Sequence, residues 1–313
     1  MGTNLSTEVF NPPEPPNYDS EKVGLEMVPT PEGRLVPLIQ YEDGSSHPSS
    51  SKLHVLYCKG GAEDIGLMDK WLRIVAVTLR VTVWSFDYCG FGIHEGVPSE
   101  KHCNEDSAAI YRYMIEKKGI PANQIVVFAR SIGSGPALRL GCQAGERKSS
   151  SRLWPLISTR TRADRNSDSQ SRLAGIILQS PVSSVLGCLG DKAKLASIST
   201  ADMFDNMKVA PQVMCPVLVL HGSKDDLVPE RQSRRLARKL PNLYKYVLVE
   251  DAGHYDFEST FSDDLLDEAI EFLDNLSKDR SETPSGLDKG PAKVPSFFDG
   301  PGLAGFLKSV NLS

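Results

Sequence analysis

Eight short apolar runs rich in β-branched residues recur along the chain, at 24–28, 35–41, 53–57, 81–86, 125–128, 175–178, 217–220 and 246–249, most of them followed by turn residues. The first two flank Thr30-Pro31-Glu32-Gly33, a hairpin-like turn. From the third run onward helical patterns fall in between. Residues 105–117 set Ala109, Met114 and Ile115 among charges, and 230–240 is basic and amphipathic. Residues 263–276 space Leu265, Leu266, Ile270, Phe272, Leu273 and Leu276 at helical intervals. Strands alternating with helices predict βαβ units, hence an α/β fold with an eight-stranded, mostly parallel sheet flanked by helices. Such sheets bind ligands beyond the carboxyl ends of their strands, so the loops there are the ones to read for chemistry.

One of those loops follows the fifth run. The stretch Val126-Val127-Phe128-Ala129-Arg130-Ser131-Ile132-Gly133 passes from apolar strand to a serine with a small residue two places to each side. This spacing suits a nucleophile on a sharp strand-to-helix turn, where small residues let strand and helix approach and the serine oxygen stands free. Ala129 takes the place of the usual first glycine. A helix-capping serine on a plain connection would look the same, so the rest of the chain has to decide.

A neutral serine is a poor nucleophile. It needs an imidazole to take its proton and a carboxylate to fix the ring's tautomer. Where the serine sits on such a turn, the chain order is serine, acid, histidine. After the seventh run comes His221-Gly222-Ser223-Lys224-Asp225-Asp226-Leu227-Val228, and after the eighth comes Glu250-Asp251-Ala252-Gly253-His254. Only His221 and His254 follow Ser131. His221 ends its strand directly and suits a structural hydrogen bond, which leaves His254 as the base. Of the adjacent aspartates Asp225 is chosen, with Leu227-Val228 plugging the core and Asp226 facing water or capping the turn. Oxyanion donors are expected from the backbone N–H of Ile132 and from the loop Cys58-Lys59-Gly60-Gly61-Ala62, with Gly61 preferred and Ala62 its rival. The Lys59 side chain either lies near that oxyanion or points outward. No metal or organic cofactor is called for.

Composition bounds the alternatives. The 313 residues, 40% hydrophobic, suffice for a sizeable core, and a net charge of -5 argues against a general nucleic-acid binder. No apolar run is long enough to span a membrane, and the first residues lack a signal-peptide core. Six scattered cysteines without a C-x-x-C pair read as thiols in a reducing, cytoplasmic setting. Met1-Gly2-Thr3-Asn4-Leu5-Ser6 fits the signal for myristoylation of Gly2. One such chain binds membrane only marginally, so a second element would be needed for lasting peripheral attachment to a cytosolic membrane face. The organisation expected is a flexible tail over 1–22, one catalytic domain over 23–277 with a Ser/Arg-rich insertion at 143–172, and a disordered tail over 278–313. The insertion reads either as a solvated loop or as a basic patch for anionic lipid, and the segment between Pro181 and Pro211 as a roof over the pocket.

The segments YCKGGAEDIGLM, SFDYCGFGIHEGVPSE, ARSIGSGPAL, VLVLHGSKDDLVP and VEDAGHYDFE together resemble consecutive signatures of the α/β-hydrolases, and within them the α/β-hydrolase domain-containing protein 17 group of peripheral-membrane protein depalmitoylases. The likeness runs from about Gly24 to Leu276. It implies a serine thioesterase-type fold with Ser131, Asp225 and His254 on the triad positions, acting on an acylated protein or a small acyl ester. Lys59-Gly60-Gly61 stands where that group has His-Gly-Asn, and His94 where it has serine. The group's cysteine-rich, acylated N-terminus is replaced by the Gly2 signal. Two other readings remain: a general carboxylesterase or lipid hydrolase using the same three residues, and an inactive hydrolase fold serving as a membrane-attached scaffold.

Overall fold

A computed structural model describes residues 9–43, 53–143, 172–188 and 202–281. Gly2, nearly all of the 143–172 insertion, residues 189–201 of the expected roof and the chain beyond 281 lie outside the described residues. All eight apolar runs form strands: β1 (Leu25–Pro29), β2 (Leu35–Tyr41), β3 (His54–Cys58), β4 (Thr82–Phe86), β5 (Ile125–Arg130), β6 (Gly175–Gln179), β7 (Val217–Gly222) and β8 (Leu243–Val249). They make one sheet in the order β1-β2-β4-β3-β5-β6-β7-β8. The hairpin β1–β2 is antiparallel and joins β4 antiparallel, while every other pairing is parallel. Its turn closes through Thr30 N donating 2.8 Å to the Arg34 carbonyl, with Gly33 at φ 86°, a conformation that costs glycine little.

Helices cover both faces. On one lie α1 (Ile65–Leu79) and a C-terminal helix (Ser262–Ser281), packed through Leu72, Val75, Leu265, Phe272 and Leu276 onto Val55, Tyr57, Val126 and Phe128. The other carries α2 (Glu100–Glu116) and α3 (Ser134–Gln143), packed through Ile110, Met114, Ala137 and Leu138 onto Leu56, Ile125 and Val127. Alternate residues of β3 and β5 thus feed opposite cores, as a strand's two-residue period requires. Among the described residues two single-turn helices follow β6, α4 (Val185–Cys188) and α5 (Asn206–Val209); α6 (Arg231–Ala237) lies between β7 and β8, and the helix Ser262–Ser281 is α7.

The boundaries follow local chemistry. Helix α2 begins at Glu100, ahead of the expected 105, because Ser99 Oγ caps it by accepting 3.1 Å from His102 N. Helix α1, between β3 and β4, is not among the segments picked out by apolar spacing; it is capped by Asp64 accepting 2.8 Å from Leu67 N and ended by Arg80 at φ 53°.

The expectation of a flexible tail through residue 22 gives way here. Phe10 is 4% exposed and meets Phe91 and Phe204 edge-on, with ring centroids 6.4 and 6.2 Å away. Asn17 N donates 2.7 Å to Asp64, and Tyr18 Oη donates 2.5 Å to Asp87. Residues 9–18 are therefore laid against the domain by aromatic burial and by hydrogen bonds to buried carboxylates.

Strand order fixes where ligands meet the fold. The chain leaves β3 for β4 on one side and returns to β5 on the other, so β3 and β5 are neighbours whose following loops diverge. Cys58 pairs with Ala129 across them, which brings the loop after β3 beside the serine after β5.

Candidate active site

Ser131 directly follows β5 and has φ 53°, a left-handed conformation uncommon for a residue with a side chain. The chain turns through Ser131–Gly133 and enters α3. Gly133 has to be glycine: a Cβ there would come within 2.1 Å of the Cys58 carbonyl oxygen. At the other flank the Ala129 methyl is buried and fits. Ser134, which the sequence reading passes over, braces the turn. Its Oγ donates 2.7 Å to the Ser131 carbonyl and accepts from Val182 N and Asn206 Nδ2 at 3.3 and 3.2 Å. Phe204 packs against Gly135 and its N donates 2.9 Å to Glu100. The described parts of the 181–211 segment are thus anchored to the start of α3.

Asp225 follows β7 and His254 follows β8. His254 Nδ1 and Asp225 Oδ2 are 2.7 Å apart, both side chains buried. Asp225 Oδ1 accepts from Leu227 N at 3.1 Å and Val228 N at 2.7 Å. Burial works against ionisation of Asp225. The hydrogen bond and charge of His254, the Val228 N–H and nearby His221 outweigh it and hold the carboxyl below its ordinary value. Asp226 is exposed. Only Val228 enters the core here; Leu227, expected to plug it as well, is 50% exposed. His221 is buried and bonded 2.8 Å to the Val228 carbonyl, and burial pushes its imidazole below the ordinary value.

In the tautomer that donates Nδ1–H to Asp225, Nε2 of His254 is the proton acceptor. No hydrogen bond joins it to Ser131 Oγ among the described residues. The serine and histidine segments are instead linked through Arg130, whose Nη2 donates 3.1 Å to the His254 carbonyl. Such contacts commonly close only when substrate is bound.

Gly61, one of the expected oxyanion donors, lies beside the side chain of Ile132, the other. A Cβ on Gly61 would meet Ile132 Cδ1 at 3.1 Å and the Val9 carbonyl oxygen at 2.2 Å, and Asn11 N donates 2.7 Å to the Gly61 carbonyl. Lys59 points neither to this spot nor outward. It is 1% exposed, donates 2.8 Å to the Glu63 carbonyl, stands 3.4 Å from Asp87 and lies 3.6 Å over the Phe91 ring. Of the sites read from sequence, only Gly2 falls outside the described residues.

The family described as alpha/beta hydrolase fold matches residues 143–260. An esterase of Pyrococcus furiosus superposes with a TM-score of 0.59, covering 85% of this chain and 98% of its own at 16% identity. The chain has the α/β-hydrolase fold. A thermophilic esterase from Thermogutta terrifontis is similar at TM-score 0.55 and 17% identity, over 80% of this chain and 98% of that one. Among curated proteins, the Caenorhabditis elegans alpha/beta hydrolase domain-containing protein aho-3 is 27% identical over 212 residues, 67% of this chain and 54% of the relative. Human alpha/beta hydrolase domain-containing protein 17C is 26% identical over 210 residues, 67% of this chain and 55% of that protein. The chain thus spans about half the length of the curated relatives it matches. No described helix is long and apolar enough to cross a membrane.

Proposed function

We propose that this α/β-hydrolase-fold chain is a serine hydrolase that cleaves acyl esters or thioesters, with Ser131 as nucleophile, His254 as base and Asp225 as its orienting acid. The observation that carries the reading is the 2.7 Å Asp225–His254 contact on the sheet edge where Ser131 turns at φ 53°. His254 Nε2 takes the Ser131 proton as Oγ bonds to the acyl carbon. The N–H groups of Ile132 and Gly61 receive the oxyanion, each worth about 3 kcal/mol of barrier. Collapse expels the thiol or alcohol, protonated by His254. Water then attacks the acyl-serine by the same relay, and the carboxylic acid leaves. Asp225 stays ionised throughout.

The substrate class we propose is a long-chain S-acylated protein, on the resemblance to the domain-containing protein 17 group and on the likeness to curated members of that name. The esterases among similar structures support a second reading, a carboxylesterase for small acyl esters. We further propose that Gly2 carries myristate and brings the protein to a membrane surface peripherally. A fluorophosphonate probe is expected to label the protein and to fail on Ser131→Ala; labelling that survives the substitution rejects the nucleophile. Hydrolysis of palmitoyl thioesters against short oxygen esters separates the two substrate classes. Release of Gly2→Ala from the membrane fraction tests the attachment.

A further inference from the structure

The last residue of β5 is an arginine, and it is 3% exposed. A guanidinium is almost never buried unless its charge is matched. Arg130 is matched by three groups drawn from two loops. Its Nη1 pairs with Glu63 in the loop after β3. Its Nε lies 3.2 Å from Glu258 in the loop after β8, and Nη2 donates 3.1 Å to the His254 carbonyl in that same loop.

Each partner passes the contact on. Glu63 Oε2 accepts 3.1 Å from Gly60 N, so the carboxylate that holds Arg130 also holds the glycine turn. Glu258 Oε1 accepts 2.9 Å from Gln179 Nε2 at the end of β6. The guanidinium lies 5.2 Å over the Tyr255 ring, which meets the His254 ring edge-on at 5.1 Å.

Sheet geometry gives this cluster its purpose. Strand β8 is the third strand from β5 in the sheet order, about 14 Å away at 4.8 Å per strand. The loop after β8 must run back across that distance to bring an imidazole to Ser131. Asp225 holds the ring from the β7 side. Arg130 is what holds the loop's backbone from the β5 side.

The geometry points to Arg130 as a positioning residue that locks the Gly60–Gly61 turn and the His254 loop in one register about Ser131. The inference rests on the reading of Ser131, Asp225 and His254 as the reacting set. A lysine is a point charge on a flexible stem, whereas the guanidinium fork can face Glu63, Glu258 and a carbonyl together. An ångström of misplacement at such a centre typically costs about a hundredfold in rate.

The test compares full-length wild type, Arg130→Met, Arg130→Lys and Ser131→Ala in hydrolysis of a p-nitrophenyl ester. Hydrogen exchange is followed in peptides spanning 59–64 and 250–258. Arg130→Met is expected to lower kcat by about 10- to 100-fold with KM within about twofold, and Arg130→Lys to recover part of the loss. Both peptides should lose protection together in Arg130→Met and keep it in Ser131→Ala. If Arg130→Met fails to fold, Glu258→Gln releases only the histidine loop and should lower kcat with unchanged KM and faster exchange in 250–258. Unchanged kcat, a loss confined to KM, no rescue by lysine, or faster exchange in one loop alone for Arg130→Met would overturn the inference. Wild-type protein lacking Ser131-dependent hydrolysis would reject the proposed function instead, and the paired exchange would still decide the role of Arg130.

Discussion

Lys59 Nζ stands 3.4 Å from Asp87 Oδ1, with 1% and 0% of the two side chains exposed. A buried pair is costly to break from one side because the remaining charge has lost its counter-ion, and the loss is about 3–5 kcal/mol. Lys59→Met should lower the unfolding free energy in urea by about that amount. Adding Asp87→Asn should restore much of it, since no bare carboxylate then remains. A double variant no more stable than Lys59→Met would show that the lysine acts mainly through the Glu63 carbonyl and the Phe91 ring it also contacts.

Adjacent aspartates offer a clean comparison. Asp225 is bonded to His254 while Asp226 is exposed. Asp225→Asn keeps the shape but favours the wrong imidazole tautomer, and is expected to reduce kcat by about 10⁴-fold. Asp226→Asn should stay within about twofold of wild type, as surface changes usually do. Steady-state ester hydrolysis ranks the two, and the reverse ranking would reassign the acid.

Ser131 holds its left-handed φ of 53° at the expense of stability. Such conformations cost about 1–3 kcal/mol for residues bearing a Cβ, and glycine escapes the cost. Ser131→Gly should therefore be about 1 kcal/mol more stable than Ser131→Ala, though neither is active. Paired urea melts measure the difference; equal midpoints would mean that the turn carries no strain.

Acid should weaken the protein in two stages. Burial lowers the His221 imidazole, against the opposing pull of Asp225, the Val228 carbonyl and Glu230, and with His254 acting in the same direction as burial. The unfolded chain then binds the proton more readily than the folded one. The stabilisation is complete above the unfolded value of about 6.5 and shrinks as pH falls from there towards the folded value. His54, lowered by burial too, acts in the same window. Asp225, held below its ordinary value, contributes above about pH 3.9 and its share is lost on further acidification. His221→Gln, which keeps a donor for the Val228 carbonyl, should flatten the first stage in urea midpoints taken across pH; an unchanged slope would assign that stage elsewhere.

Glycine at 61 answers to the N-terminal segment. A Cβ there would sit 2.2 Å from the Val9 carbonyl oxygen, whereas the nearest atom to one at Gly60 would be in the Glu63 carboxyl, at 3.3 Å. Gly61→Ala should expose residues 9–18 to limited proteolysis, and Gly60→Ala should do so far less. Equal cleavage rates would show that the segment is held by Phe10 and Tyr18 alone.

The strands were legible because they are short apolar runs, most of them closed by turn residues, and β1 to β8 all lie where those runs do. Edges were less so: β8 begins at Leu243 rather than 246, its polar Tyr244 and Lys245 disguising a strand at the rim of the sheet. Asp225 was preferred to Asp226 on the expectation that Leu227 and Val228 both turn inward, and Val228 does. Leu227 misled, since an exposed leucine and a core leucine read alike. Arg130, Lys59 and the packing of residues 9–18 were not legible. Their partners, Glu258, Asp87, Phe91 and Phe204, are distant in the chain, and no local pattern encodes which charge or ring a side chain will meet once the sheet has formed.

The bond from Asn11 N to the Gly61 carbonyl and the wedge of Phe10 between Phe91 and Phe204 make residues 10–11 a brace for the turn that carries Gly61. A chain beginning after Asn11 would lose that brace while keeping every strand of the sheet. Trimming the Pro-rich stretch to obtain a tidier domain would therefore yield a protein whose sheet is intact but whose Gly60–Gly61 turn has lost the neighbour that shapes it.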